Sequence, residues 1–73
     1  MIEVWIARLG DNIDAALPVY IVGVFQHRET AEKTVLEIMG DTPVTKYLKT
    51  SSSTEWDTGD EVYAVELYRV QKT

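Results

Sequence analysis

Apolar and polar positions alternate at the start of the chain, change period in its middle, and alternate again at its end. From residue 2 to residue 8, Ile2, Val4 and Ile6 point one way and Glu3, Trp5 and Ala7 the other, which predicts a strand. Leu9-Gly10-Asp11-Asn12 is a turn signal, and 13–17 is a loop or one loose helical turn. Pro18 opens a second strand, Val19 to Phe25, a nearly unbroken apolar run that suggests burial on both faces. Gly23 within it marks a bulge or a close packing contact. The period then becomes helical. Ala31, Val35, Ile38 and Met39 form one stripe, Glu29 and Lys33 sit on the solvent side, and Gly40 stands where a C-terminal cap belongs. The spacing predicts a helix at about 28–39, with Val35 and Ile38 in the core. A third strand is expected at 44–50 and a last, long one at 61–71. Ser51 to Thr54 reads as a polar loop and Asp57 to Asp60 as a turn.

The order strand, strand, helix, strand, strand predicts an α+β two-layer sandwich. A small antiparallel sheet carries one helix on one face, in a single domain spanning 1–73. Parity then distributes the side chains. The face assigned to the helix takes Ile2, Val4 and Ile6, then Val19, Ile21 and Phe25, then Tyr63, Val65 and Leu67. The other face takes Trp5 and Ala7, then Tyr20, Val22 and Val24, then Val62, Ala64, Tyr68 and Val70. A solvated face would alternate to polar residues, and this one does not. Trp5, Tyr20, Val22, Tyr68 and Val70 are therefore the expected partner-binding residues, against another protein or a second copy. The alternative cover is the chain's own 9–17 loop or the tail after Val70.

Composition narrows the chemistry. The 73 residues hold 7 Lys and Arg against 12 Asp and Glu, for a net charge of −5, so a basic nucleic-acid footprint is not expected. There is no cysteine, hence no disulfide, thiolate catalyst or zinc–cysteine site. The first residues lack a basic region and a long apolar core. They point to a cytoplasmic, unprocessed chain without a membrane segment. A domain this small buries only about 60% of its unfolded surface, which makes extra area in an assembly valuable.

His27, the single histidine, reads as a helix cap or surface side chain, since no nucleophile or orienting carboxylate stands at a recognisable spacing. Glu55, Asp57, Asp60 and Glu61 put four carboxylates in seven residues without the spacing of a calcium loop. They read as a solvated turn or as an acidic docking patch for a basic protein, with Trp56 as its anchor. The four scattered glycines make no phosphate-cradling loop. No catalytic, cofactor-binding or metal-binding residue is expected.

The run Ile21-Val22-Gly23-Val24-Phe25, followed by Glu29-Thr30-Ala31-Glu32, resembles a group of short uncharacterised bacterial and phage domains. In those, a strand like Val4-Trp5-Ile6-Ala7 leads to a "-GVF-" strand and a helix opening on Ser-x-Glu-x-Ala-Glu. The resemblance spans roughly residues 3–39 and the closing strand. It departs at His27, where the pattern has serine, and in the 51–60 loop. It implies a fold and a mobile-element setting, and no catalytic residue. In type, the small acidic chain also resembles phage-encoded inhibitors of host defence, those of the anti-CRISPR kind among them. The expected function is thus a non-catalytic protein-binding module acting as an inhibitor or modulator of a host protein. The alternative is a cytoplasmic homodimeric accessory domain, with an enzyme subunit a distant third.

Overall fold

A computed structural model describes residues 2–11 and 20–71. Pro18, Val19, residues 12–17 of the loop considered as a cover, and residues 72–73 of the tail lie outside the described residues. Among the described residues the fold is α+β, with one helix and an antiparallel sheet. Its elements are β1 (Ile2–Asp11), β2 (Tyr20–Phe25), α1 (Arg28–Met39), β3 (Lys46–Lys49), β4 (Ser53–Asp57) and β5 (Glu61–Val70), and the sheet order is β2-β1-β5-β4-β3. The sheet holds a fifth strand beyond the four expected. β4 forms from the stretch read as polar loop and turn. Its Ser-Thr-Glu-Trp-Asp run does alternate, with Thr54 and Trp56 buried and Glu55 exposed. The serines and acids masked that period.

The helix begins and ends where the pattern predicts. His27 is its N-cap by backbone conformation, with no side-chain capping bond. Gly40 ends it at φ 59°, a left-handed value that favours glycine, and its N–H donates to the Leu36 carbonyl at 3.0 Å. Ala31, Val35 and Met39 are buried, whereas Ile38 is 48% exposed. The expectation of a core Ile38 is therefore corrected. The buried stripe runs 31, 35, 39, and position 38 falls to its flank.

Parity in the centre of the sheet differs from the expected assignment. β1 and β5 pair over ten residues, with Trp5 opposite Leu67, Ala7 opposite Val65 and Leu9 opposite Tyr63. Directly opposed residues share a face. Ala7, Val65, Tyr63 and Trp56 join Ala31, Val35 and Met39 in the core, with Trp5, Leu9, Val22 and Phe25 packed around them. The helix thus covers Trp5, Ala7 and Leu9, and Ile2, Val4 and Ile6 lie on the other side. Ala7, fully buried, is small enough to let the helix approach.

A bulge in β2 completes the correction. Ala7 pairs with Gly23 but Arg8 pairs with Ile21, so Val22 is the extra residue. The bulge turns Val22 toward the core, puts Tyr20 opposite Leu9, and sends Ile21 to the far side. Gly23 sits under Phe25. A Cβ there would lie 2.8 Å from the Phe25 ring, so any larger residue would displace it.

Val35 and Ile38 separate the two sides of the helix. Val35→Ala is expected to cost about 1–3 kcal/mol through lost methyls and a cavity, and Ile38→Ala less than about 1 kcal/mol. Urea denaturation midpoints measure both; equal losses would mean that the stripe is wrongly placed.

Candidate interaction surface

The side of the sheet away from the helix has two parts. On β2, β1 and β5 it is apolar: Ile21 and Val24, then Ile2, Val4 and Ile6, then Val62, Ala64, Tyr68 and Val70. On β4 it is polar, with Ser53, Glu55 and Asp57, flanked on β3 by Lys46 and Leu48. Ile2 is 53% exposed, Ile21 64%, Val24 58% and Val70 51%. An ordinary wet sheet face would carry polar side chains at these positions. Inside the apolar panel stands an ion pair, Arg8 with Glu66, on neighbouring strands. Both side chains are about one-third exposed, and the buried Arg8 Nε has no hydrogen-bond partner among the described residues. A shallow depression of about 610 Å³ lies along the polar margin, lined by Lys46, Tyr47, Leu48, Glu55, Asp57 and Val62.

The expected partner-binding residues do not all gather on this face. Tyr68 and Val70 do. Trp5 does not. It lies on the helix side, half-buried, with the Arg28 guanidinium 4.9 Å from its ring centroid. Val22 packs against the core through the bulge. Tyr20, opposite Leu9, is on the helix side of the edge strand, yet 73% exposed. Ile2, Val4, Ile6 and Ile21 take their places on the open face. Within β1, the strand's own pattern gives the alternation but not which half meets the helix.

The acidic segment is a hairpin turn with Trp56 beneath it in the core, 6% exposed, so Trp56 is not an exposed anchor. Its ring is tilted against that of Tyr47, with centroids 6.0 Å apart. Asp57 accepts a hydrogen bond from the Gly59 N–H at 2.8 Å, and Gly59 takes φ 97°, a value suited to glycine. Glu61 accepts from the Tyr63 hydroxyl at 3.0 Å. Burial and the neighbouring Glu61 carboxylate raise the Tyr63 pKa. Asp57 and Glu61 thus help to shape the turn, while Asp60 is exposed at its tip. Among the described residues, no group of three or more histidines and carboxylates is placed to hold a metal ion. His27 is exposed.

A polar cluster that the sequence reading missed joins the helix start to the β3–β4 turn. Arg28 donates through Nη2 to the carbonyls of Thr50 and Ser53 at 2.7 and 2.9 Å, and through Nη1 to that of Ser51 at 3.2 Å. Its Nη2 also reaches the Thr54 hydroxyl at 2.9 Å, and its Nε the Glu32 carboxylate at 3.2 Å. Thr54, fully buried, donates to Glu32 at 2.6 Å, and Lys49 lies 3.7 Å from the other carboxylate oxygen. Burial alone would raise the Glu32 pKa. The hydrogen bonds from Thr54 and Arg28, with the charges of Lys49 and Arg28, outweigh it and hold the pKa below its ordinary value. The sequence offered one clue, the i,i+4 spacing of Arg28 and Glu32; their hydrogen-bond partners in the β3–β4 hairpin come from residues more than twenty positions away.

Against protein-family models, curated proteins and solved structures, the chain gives no match. The surface is therefore read from its own chemistry.

The cluster makes a pH prediction. With a folded pKa below the unfolded one, Glu32 contributes stability that is complete above the unfolded value and is lost as pH falls through the folded one. Glu32→Gln should flatten the acid limb of a stability–pH curve. Arg28→Met should cost about 1.5–3 kcal/mol at neutral pH, the scale of hydrogen bonds to a charged group. Chemical denaturation at stepped pH checks both, and an unchanged acid limb in Glu32→Gln would remove Glu32 from this role.

Proposed function

We propose that this protein is a non-catalytic protein-binding module whose working surface is the helix-free side of the sheet. The carrying observation is the exposure there of Ile2, Ile21, Val24 and Val70, each more than half open, beside Tyr68. A contiguous apolar panel of a few hundred Å² with a polar margin is the kind of surface that marks an interaction site. Aromatic and aliphatic side chains of this sort form the centres of protein interfaces. The polar β4 stripe, with Glu55 and Asp57, then serves as the rim, and Asp60 adds negative charge at the exposed tip of the turn.

Within that class we favour an inhibitor or modulator of a host protein, cytoplasmic and carried by a phage or mobile element. Its support is the small acidic chain together with the strand–helix resemblance over residues 3–39. Among the described residues, no helix is long and apolar enough to cross a membrane.

A photo-crosslinking residue placed in turn at Val24, Tyr68 and the exposed helix position Glu37 tests the surface. Adducts to protein are expected from Val24 and Tyr68 and not from Glu37. Equal yields at all three positions, or none at the first two, would overturn the assignment.

A further inference from the structure

We propose that the occupant of the open sheet face in the free protein is a second copy of the same chain. The two copies pack face to face about a twofold axis that runs in the interface plane between Arg8 and Glu66. This rests on the reading of that face as an interface and names what covers it.

Three observations lead to the second copy. The first is charge. Among the described residues, the apolar panel of β2, β1 and β5 carries one cation and one anion, Arg8 and Glu66, paired diagonally across adjacent strands. The panel is electrically neutral although the chain carries −5, so it has no net charge with which to select a basic or an acidic partner. An adjacent pair of opposite charges is, however, complementary to itself. A twofold axis between the two sets Arg8 of one copy over Glu66 of the other, and the reverse, closing a ring of four charges. Isologous interfaces have this reciprocal form. The ring also gives the Arg8 guanidinium, whose Nε is unpartnered among the described residues of the single chain, a second carboxylate to share.

The second observation is the state of the sheet edges. β3 is only four residues long and begins and ends with a lysine, Lys46 and Lys49. β2 is broken by the bulge at Val22. Short strands, lysines and bulges all discourage the addition of another strand. A second copy is thereby steered from the edges to the face.

The third is area. Strands spaced ~4.8 Å apart and rising ~3.3 Å per residue give the three-strand panel a planar footprint on the order of 400 Å². That footprint is about half of the ~800 Å² that each partner contributes to a standard interface, and the flanking β4 stripe widens the contact. About an axis between Arg8 and Glu66, the β1–β5 centres of the two sheets face each other ~10 Å apart, the spacing of an ordinary sheet-on-sheet core.

Sedimentation velocity from low micromolar to millimolar concentration, with circular dichroism to confirm folding, provides the test. The wild type should approach twice the 8.3 kDa chain mass. Arg8→Glu and Glu66→Arg should each sediment as folded monomers, because each places like charges across the axis. Mixed in equal amounts, the two variants should recover the dimer. The glutamate introduced in the first then meets the arginine introduced in the second, and the native Arg8 of the second meets the native Glu66 of the first. Lys33→Glu, on the exposed helix surface, should leave the dimer unchanged. If the single variants do not fold, Val24→Lys at the panel margin supplies the monomeric form. A wild-type chain that stays monomeric throughout would overturn the second copy as occupant. If crosslinks from Val24 and Tyr68 to another protein persist in that case, the interface reading survives. If they are also absent, both fall. A wild-type dimer whose variants fail to complement on mixing would overturn the twofold through Arg8 and Glu66.

Discussion

The ten-residue ladder between β1 and β5 fixes everything else in this fold. Once Ala7 stands opposite Val65, every side chain on both strands is committed to one face or the other. A helix can lie close to a sheet only where the sheet offers small side chains, and Ala7 supplies that place at the centre of β1. Larger groups, Trp5, Leu9, Phe25, Trp56 and Tyr63, stand around it and close the sides of the core. The alternative parity would have put Ile6 or Val4 under the helix and held the two layers further apart. Packing density, not hydrophobicity summed along a strand, decides between the two.

The outer hairpin needs a second constraint, because the four side chains of β3 are all exposed. The β3–β4 ladder alone would leave that end of the sheet weakly attached to the helix layer. Arg28 supplies the link by donating to three backbone carbonyls in the turn while pairing with Glu32. Thr54 completes it from beneath, so the half-buried charges have partners on several sides. The same guanidinium lies against Trp5, which ties the first strand to the hairpin as well. The bridge is thus polar where the core is too thin to hold the hairpin with apolar contacts.

What the sequence disclosed follows this division. The helix, its glycine cap, the antiparallel α+β class and the apolar excess on a second face were all legible, because each depends on local periodicity or on a sum over strands. The phase of β1 relative to the helix was not, since alternation within a strand is symmetric between its two faces. The bulge at Val22 could be suspected from Gly23, but its effect on Tyr20 and Ile21 required the register. β4 stayed hidden because Thr54 and Trp56 carry its buried positions amid serines and acids, and threonine reads as polar until a partner such as Glu32 is known. Trp56 looked like an exposed anchor for the same reason. Arg28 and Glu32 sat in plain view as an i,i+4 pair, but their long-range acceptors are backbone carbonyls, which leave no trace in side-chain patterns.

The corrected parity makes the open face more informative than the expected one. Trp5 and Trp56, which would have supplied bulky anchors, are drawn into the core or its margin, and the face is left with mostly β-branched residues, Ala64, Tyr68 and an ion pair. Branched side chains on a twisted sheet present a regular surface with low rotamer freedom, suited to another regular surface such as a sheet. An ion pair inside such a panel adds little stability, because desolvation offsets most of its attraction. Its contribution is positional. Apolar panels can slide over one another at small cost, whereas a misregistered copy would bury Arg8 or Glu66 against isoleucine and valine. The penalty for that unpaired charge exceeds the gain from the methyl groups it displaces. In a face-to-face assembly the apolar residues therefore supply the attraction, and Arg8 with Glu66 select one arrangement among the many that the apolar residues alone would accept.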